Sequence, residues 1–474
     1  MGCPKAARDG LDVTSLSRRL AAHVESVRYE DLPAAAIDGA KRSLLDAIGV
    51  SLGASGAGEG CAAFAAQARS AGGAPESSVF GYEFRAPAQL AALANGAMAH
   101  ALDFEDAFDA APVHPNAALI PAALALGEAR GDVDGRALLT AMAVGCDLTC
   151  RLALAVRTPV ESFGWYPPPI FGAYGAVAAA GRIVGLDAQQ MLDAFSLALC
   201  QATCSGEIKH APDSVLRSVR DAFASQTGVL SAQLASRGVR GFERPFEGEC
   251  GFFRLYAQGD YDEDKLMADL GARFYGAELS YKAWPSCRGT HAAAEAALAL
   301  RAVHDFAASD VVRIETEGGL LQEMLARPIE TKRAPRTAID AKFSLPFVVA
   351  TAIVKGRVSL DDFDGPALCD GAVLALAARC EHRTTEEWAR NAAGGRLAIH
   401  LRDGRTLMHA VEAPLGAPSN PIAWDALVEK AIACAARAHR PAPPAAIARL
   451  AERIATLEAE PNAAGAIFAE LASG

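Results

Sequence analysis

The chain lacks the short patterns that mark most cofactor-dependent enzymes. It contains no Cys-x-x-Cys and no His-Glu-x-x-His, and neither a phosphate-binding loop nor a dinucleotide fingerprint accompanies its candidate site residues. A Gly-rich string at 49–60 does not follow a clear strand, so it is weak evidence for nucleotide binding. These absences leave no motif-based argument for a metal centre or a nucleotide site.

Targeting and membrane signals are also missing. The N-terminal residues contain no apolar stretch of the kind found in secretion signals, and no uncharged run reaches the ~18–20 residues that span a bilayer. The 11 cysteines are odd in number and scattered, as expected of reduced thiols in the cytosol. We therefore expect a soluble, cytoplasmic protein.

Positive charge is in deficit. The formal net charge is -11, which argues against nucleic acid and anionic membrane as partners. Hydrophobic residues make up 51% of the chain, so a large core is available. At 474 residues the chain is too long for one ordinary domain, and two or three are expected.

The predicted elements divide the chain into three parts. Apolar periodicity predicts successive helices over 1–267, many rich in Ala and Gly, as in a buried helical core. A strand pattern at 311–316 and two strand patterns around Asp403-Gly404 predict a smaller α+β lid domain over 268–415. Residues 416–474 are again helical and should pack back on the first part. The predicted class is mainly α.

The first candidate site lies between two predicted helices. Its acids are Asp103, Glu105, Asp106 and Asp109, and the run ends at His114, directly before Pro115. A residue that precedes proline is restricted to extended geometry, which fixes the direction of the histidine. A fixed histidine beside carboxylates suits general acid–base chemistry, whereas the alternative interpretation is a solvated acidic turn.

Two further clusters are basic. Lys209, Arg217 and Arg220 fall within 12 positions of a net-acidic chain, and arginine suits the bidentate binding of carboxylates. Lys282 and Arg288 flank a Trp-Pro turn where the α+β part begins, and clefts between domains are favoured ligand sites. The alternatives are a solvated basic face and a hinge without a ligand.

Together these segments resemble the MmgE/PrpD family, which contains 2-methylcitrate dehydratases, cis-aconitate decarboxylases and iminodisuccinate epimerases. The similar stretches cover most of the chain: 44–54, 95–106, 114–128, 171–187, 246–253, 281–293 and 341–350. The resemblance implies a helical domain with an α+β lid, a homodimer, and no metal or organic cofactor. It also implies an active site between the two domains.

Site roles follow from the same resemblance. The acid–base positions correspond to Asp103 and His114, and the lid lysine corresponds to Lys282. The substrate-binding candidates are Tyr166, Lys209, Arg217, Arg220 and Arg288. Five positions depart from the usual pattern, which indicates a carboxylate different from that of the well-known members: Ala107 for Thr, Tyr166 for His, Arg217 for Lys, Arg220 for His and Phe347 for Tyr.

The family activities share a carbanion or enolate-like species next to a carboxylate. We therefore expect a cofactor-independent lyase acting on a small di- or tricarboxylate, most simply a dehydratase similar to 2-methylcitrate dehydratase. An epimerase, isomerase or decarboxylase on the same site is the enzyme alternative. The remaining alternative is a family member that has lost activity and only binds a metabolite. The residues do not distinguish the base from the acid.

Overall fold

The structure, a computed structural model, describes residues 15–211, 214–388 and 393–472. Helices dominate it, which confirms the prediction of a mainly α fold. The helices of the N-terminal half are α1 (Leu16–Ser26), α2 (Ala34–Ala57), α3 (Cys61–Ser70), α4 (Ala88–Ala101), α5 (Pro115–Arg130), α6 (Gly135–Ala155), α7 (Pro167–Val184), α8 (Ala188–Leu199), α9 (Leu216–Val219), α10 (Asp221–Ser236), α11 (Phe252–Ala257) and α12 (Glu263–Met267). Two short strands of two residues each, β1 (Ser77–Ser78) and β2 (Arg85–Ala86), pair antiparallel as a hairpin.

The C-terminal half contains the larger sheet. Its helices are α13 (His291–Val303), α14 (Leu320–Ala326), α15 (Ile329–Arg333), α16 (Ala338–Lys342), α17 (Leu345–Lys355), α18 (Gly371–Ala377), α19 (Trp424–Ala435), α20 (Pro444–Ala455) and α21 (Ala463–Ala472). Its strands are β3 (Val311–Gly318), β4 (Cys380–Thr384), β5 (Gly395–Leu401) and β6 (Thr406–Val411). The sheet order is β4-β3-β5-β6.

Small residues bring the core helices of the N-terminal half close together. A Cβ placed on Gly145 of α6 would lie 2.6 Å from the carbonyl oxygen of Gly175 in α7. On α10, a Cβ at Gly228 would lie 2.7 Å from the Ala176 methyl group. Both distances are below van der Waals contact, so these helices approach at a separation that only glycine permits.

Helix α6 is long and apolar enough to cross a membrane, but 83% of its most apolar window is buried in the protein, as in a core helix.

The sheet is built around the predicted strands. β5 and β6 form an antiparallel hairpin, and Gly404 in the turn adopts φ +89°. β3 pairs antiparallel with β5 and parallel with β4. The sequence did not indicate β4, because its residues Cys-Glu-His-Arg-Thr show no alternation of apolar and polar positions. Helices α13 and α17 cover the sheet.

Two apolar cores are present among the described residues. One joins the N-terminal helices to the tail helices α19, α20 and α21, and the other joins the sheet to α13 and α17. The predicted domain boundaries at 267 and 415 stay predictions. Helix α5 continues through Gly127 to Arg130 and ends at Gly131, which adopts the left-handed conformation.

The Gly-rich string at 49–60 is part of a helix contact. Its first half lies inside α2, where Gly49 and Gly53 face the tail helix α19. A Cβ on Gly49 would lie 2.7 Å from the Cα of Ala431, and one on Gly53 would lie 2.9 Å from the Cys434 carbonyl oxygen. The glycines therefore seat the tail on α2, which accounts for the string without a nucleotide.

We predict that Gly49→Ala lowers the midpoint of thermal unfolding. In a helix interior Ala is favoured over Gly by ~0.5–1 kcal/mol, but the added methyl group overpacks a backbone contact at a cost of ~1–3 kcal/mol. Gly371→Ala is the matched control, since no described atom would lie within 4 Å of the new Cβ. A midpoint that rises in both variants would show that α2 and α19 do not pack so closely.

Candidate functional site

A cleft of about 330 Å³ lies between the helical part and the sheet-containing part. Seven of the eight predicted site residues line it: Asp103, His114, Tyr166, Lys209, Arg217, Arg220 and Arg288. Lys282 does not line the cleft, because its side chain is fully buried behind the wall. The structure thus brings together residues that are far apart in sequence.

A larger cavity of about 470 Å³ lies between the β1–β2 hairpin and the tail. The two arginines that line it are already paired with carboxylates, Arg440 with Glu83 at 2.5 Å and Arg85 with Glu128 at 3.2 Å. It contains none of the predicted site residues. The smaller cleft is therefore the better candidate for chemistry.

The acidic loop is buried where it approaches the cleft. Asp103 lies two residues past the end of helix α4 and adopts φ +49°, a left-handed conformation that aspartate tolerates better than most residues. Asp103, Glu105 and Asp106 are each at most 2% exposed. The interpretation of this run as a solvated turn is therefore wrong for these three acids.

Lys282 neutralises this buried negative charge. Its ammonium donates to the Asp103 carboxylate at 2.7 Å and to the Asp103 carbonyl at 3.1 Å, and it lies 3.9 Å from Glu105. Burial opposes ionisation of Asp103, but the nearby cations, Lys282 first, outweigh it and hold the carboxyl pKa below its usual value. Asp103 is therefore ionised near neutral pH.

His100 connects this pair to the basic side of the cleft. Its Nε2 lies 2.5 Å from Nη1 of Arg220, which can only donate, so Nε2 accepts and Nδ1 carries the proton. Nδ1 then donates to Oε1 of Glu105 at 2.5 Å. Burial, followed by the charge of Arg220, lowers the pKa of His100 to about 3. His100 is thus a neutral link between a guanidinium and a carboxylate.

His114 has one nitrogen fixed and the other available. Its Nδ1 lies 2.9 Å from both the Asp106 carbonyl oxygen and Oε1 of Glu105, which makes Nδ1 a donor. Its Nε2 makes no hydrogen bond to any residue that the structure describes. Because His114 precedes Pro115, the first residue of α5, its backbone stays out of the helical region, with φ -122° and ψ 80°. Nε2 is therefore the atom that can exchange a proton with a ligand.

His100, Glu105 and His114 also place three potential metal-ligating atoms within 4.8 Å of one another. The ligands of a tetrahedral ion bound at ~2.1 Å stand roughly 3.4 Å apart. Here both imidazole nitrogens lie within 2.9 Å of the same carboxylate oxygen, His100 Nδ1 donates to that oxygen, and His114 Nδ1 donates to the Asp106 carbonyl oxygen. The arrangement fits a hydrogen-bond network rather than a metal centre.

Arg220 and Arg217 supply positive charge with unused donors. Arg220 is buried and donates to Tyr166 Oη at 3.1 Å, while its Nη2 has no hydrogen-bond partner within the described ranges. Arg217 lies with its guanidinium carbon 3.6 Å from the ring centre of Phe343, and its buried Nε is likewise unpaired. Buried unpaired donors are costly, so these groups suit an anionic ligand in the cleft.

The remaining candidates are more fully engaged. Arg288 donates to Asp109, with N–O distances of 3.2–3.3 Å, and to the Pro414 and Leu415 carbonyl oxygens. It therefore ties the acidic loop to the chain after β6. Lys209 lies 3.6 Å from Glu161, and its ammonium lies 5.3 Å from the Tyr166 ring centre.

The sequence analysis assigned no role to Glu105, His100 or Lys430, which support the site. Glu105 and His100 were visible as acid and base near the loop, but their burial was not. Lys430 lies in the tail helix α19 and donates to the carbonyl oxygens of Phe104 at 2.6 Å and Lys282 at 2.9 Å. No local pattern marks it, because it meets the loop only through tertiary packing.

This mainly helical structure with a smaller sheet-containing part agrees with comparisons to known proteins. The MmgE/PrpD N-terminal domain matches residues 18–264, and the MmgE/PrpD C-terminal domain matches residues 284–455. The chain belongs to the MmgE/PrpD family, and the resemblance read from its sequence is confirmed.

Relatives of known name share a modest identity over most of their length. A cis-aconitate decarboxylase-like protein of Aspergillus oryzae is 28% identical over 432 residues, which cover 86% of this chain and 88% of that protein. The cis-aconitate decarboxylase of Aspergillus terreus is 24% identical, covering 71% and 73%. The human cis-aconitate decarboxylase is 24% identical, covering 75% and 74%.

We predict that Asp106→Asn reduces the loss of stability between pH 4 and pH 8. Burial raises the pKa of Asp106 to about 6, above the ~3.9 of an unfolded aspartate. The folded state therefore binds this proton more tightly, and that stabilising contribution is present at low pH and lost as the pH rises through about 6. An asparagine does not ionise, so the variant should gain ~1–3 kcal/mol relative to wild type at pH 8.

Thermal unfolding midpoints across this range measure the effect. The exposed Asp264→Asn variant is the control and should follow the wild-type curve. If the unfolding midpoints of Asp106→Asn change with pH in parallel with those of wild type, ionisation of the Asp106 carboxyl does not destabilise the folded protein, and the prediction is wrong.

Proposed function

We propose that the protein is a cofactor-independent lyase that acts on a small di- or tricarboxylate through a carbanion or enolate-like intermediate. The family and the named relatives support an enzyme that acts on carboxylates. The observation that carries the proposal is the composition of the cleft. One histidine with an available Nε2 faces the same space as two arginines with unpaired donors.

The simplest reaction is a dehydration. Arg217 and Arg220 hold a substrate carboxylate, and Nε2 of His114 removes a proton from the carbon beside it. The electron pair left on carbon forms the new double bond as the C–O bond to the leaving hydroxyl breaks. Tyr166 accepts from Arg220 and can pass its own phenolic proton to that hydroxyl, which leaves as water. Proton return from His114 to Tyr166 through solvent completes the cycle.

Asp103 and Lys282 serve this step indirectly. A carboxylate whose pKa is held below its usual value is a weak base, so Asp103 is a poorer proton acceptor than His114. When His114 takes the proton it becomes a cation beside Glu105 and near Asp103. Those two negative charges stabilise it, and Lys282 keeps Asp103 charged.

Decarboxylation on the same site is the second candidate, favoured by the names of the relatives. In that reaction the C–C bond to one carboxylate breaks and carbon dioxide leaves. The electron pair remains on carbon, and the imidazolium of His114 protonates it through Nε2. The same residues serve both reactions, and only the starting protonation state of His114 differs.

A substrate panel in deuterated water distinguishes the outcomes. Hydroxylated and unsaturated di- and tricarboxylates are incubated with the protein, and water elimination, carbon dioxide release and deuterium incorporation are measured separately. Elimination supports the dehydratase, and carbon dioxide supports the decarboxylase. Deuterium wash-in without net conversion would indicate an epimerase. No reaction and no exchange with any acid that binds would indicate a binding protein and contradict the proposal.

We predict that His114→Gln reduces kcat by roughly 10²–10⁴-fold, the usual contribution of a general acid or base, while the protein remains folded. Glutamine keeps an N–H donor but cannot carry a proton to the substrate. The pH–rate profile should also lose one limb. Asp103→Asn is the comparison: if it is the less active variant, Asp103 is the base and His114 only orients the substrate.

We predict that Arg217→Lys mainly raises KM, because lysine keeps the charge but loses the planar fork. Arg217→Ala should weaken transition-state stabilisation by ~2–5 kcal/mol if the charge pair is buried. Steady-state kinetics on the substrate found above measures both. Arg237→Ala, which changes an exposed arginine at the end of α10, is the control. Unchanged kinetics in both Arg217 variants would show that Arg217 does not bind the substrate and would favour the alternative interpretation, a solvated basic face.

A further inference from the structure

The cleft combines a small charged region with extensive apolar walls. The acidic loop contributes Phe108, Pro112 and Val113, and the sheet-containing part contributes Leu321, Met324 and Phe343. Phe343 packs against the guanidinium of Arg217, so the apolar wall begins directly at the charged region. A ligand bound there meets cations on one side and hydrocarbon on the other.

Few cations in the cleft are free to bind carboxylates. Lys209 is paired with Glu161 and Arg288 with Asp109, and Lys282, which lies behind the cleft, is paired with Asp103. Arg217 and Arg220 also line the cleft, and Nε of Arg217 and Nη2 of Arg220 are buried donors without hydrogen-bond partners among the described residues. Nε of Arg220 lies 3.3 Å from the Asp221 carboxylate, so Nη2 is the donor that Arg220 offers to a ligand. Two guanidinium groups can balance one or two carboxylates of a ligand. A third carboxylate would face apolar side chains. A buried charge without a partner is strongly disfavoured.

Two residues of helix α14 extend the apolar wall toward the outside. Leu321 and Met324 are three positions apart and therefore lie on one face of the helix, and both line the cleft. Met324 is 38% exposed, although an apolar side chain of this size is usually buried. Leu320 lies beside them in sequence, is 77% exposed and does not line the cleft.

We propose that the substrate is a dicarboxylate bearing an aliphatic group of several carbons, with its carboxylates at Arg217 and Arg220 and its chain along Leu321, Met324 and Phe343. This inference rests on the carboxylate site of the proposed function. It narrows the substrate class, because it excludes a fully polar tricarboxylate as the best ligand. The aliphatic chain covers the apolar wall, and no third charge is left without a partner.

Calorimetric binding of unreactive dicarboxylates tests the inference without requiring turnover. The series is succinate, methylsuccinate, butylsuccinate and hexylsuccinate, with propane-1,2,3-tricarboxylate as the polar competitor. Each added methylene should tighten binding by about fourfold until the chain reaches solvent, as expected for burial of hydrocarbon. Butylsuccinate should bind more tightly than the tricarboxylate. Equal affinities along the series, or tighter binding of the tricarboxylate, would overturn the inference.

Two variants locate the chain. Met324→Gln keeps the length of the side chain but makes it polar, and it should reduce the affinity ratio of hexylsuccinate to succinate several-fold. Leu320→Gln is the matched control on the same helix and should leave that ratio unchanged. Equal effects of the two substitutions on the ratio would contradict the assigned position of the chain.

Arg217→Ala separates this inference from the proposed function. If the carboxylate site is correct, this variant should weaken binding of every acid in the series, succinate included. Loss of affinity in Arg217→Ala without any dependence on chain length would overturn the aliphatic substrate alone. Unchanged affinity of Arg217→Ala for all the acids would instead contradict the assignment of the carboxylate site, on which the proposed function rests.

Discussion

The buried ion pair between Lys282 and Asp103 is the interaction on which the site depends. Both side chains are removed from water, and their attraction repays that desolvation only while both are present and hydrogen-bonded. Lys282 also donates to the Asp103 backbone, and Lys430 holds the carbonyl oxygens of Lys282 and Phe104. Three distant segments of the chain therefore meet at one pair of charges, which couples the position of the loop to that of the tail.

Around this pair, the hydrogen bonds fix which nitrogen of each histidine carries the proton. The ionised Glu105 accepts from His100 and lies 2.9 Å from Nδ1 of His114, which donates to the Asp106 carbonyl oxygen, and the neutral His100 accepts from Arg220. Such a network fixes the tautomer of His114 and leaves Nε2 toward the cleft. The same low dielectric that makes the buried charges costly strengthens these contacts. The same hydrogen-bond network therefore stabilises the buried charges and leaves Nε2 of His114 available for proton transfer.

The packing of the helices determines whether this network can form. Glycines in α2 allow α19 to lie against it, and α19 carries Lys430 to the loop. Glycines and alanines in α6, α7 and α10 likewise bring those helices together. An added methyl group at such a contact would shift whole helices, and the charged groups they carry would move with them. The small-residue composition therefore matters to the site as well as to the core.

The sequence by itself determined the elements and the chemical types of the site. Apolar periodicity is a local property, so the helices, the β5–β6 hairpin and the mainly α class were predictable, and the motif from 103 to 114 marked the loop. Burial and pairing are not local properties. Only the tertiary structure decided that Glu105 lies beside His114, that Arg288 is held by Asp109, and that Lys430 reaches the loop from the tail. The reason is that the environment of a charge depends on residues hundreds of positions away, which no pattern in its own segment records.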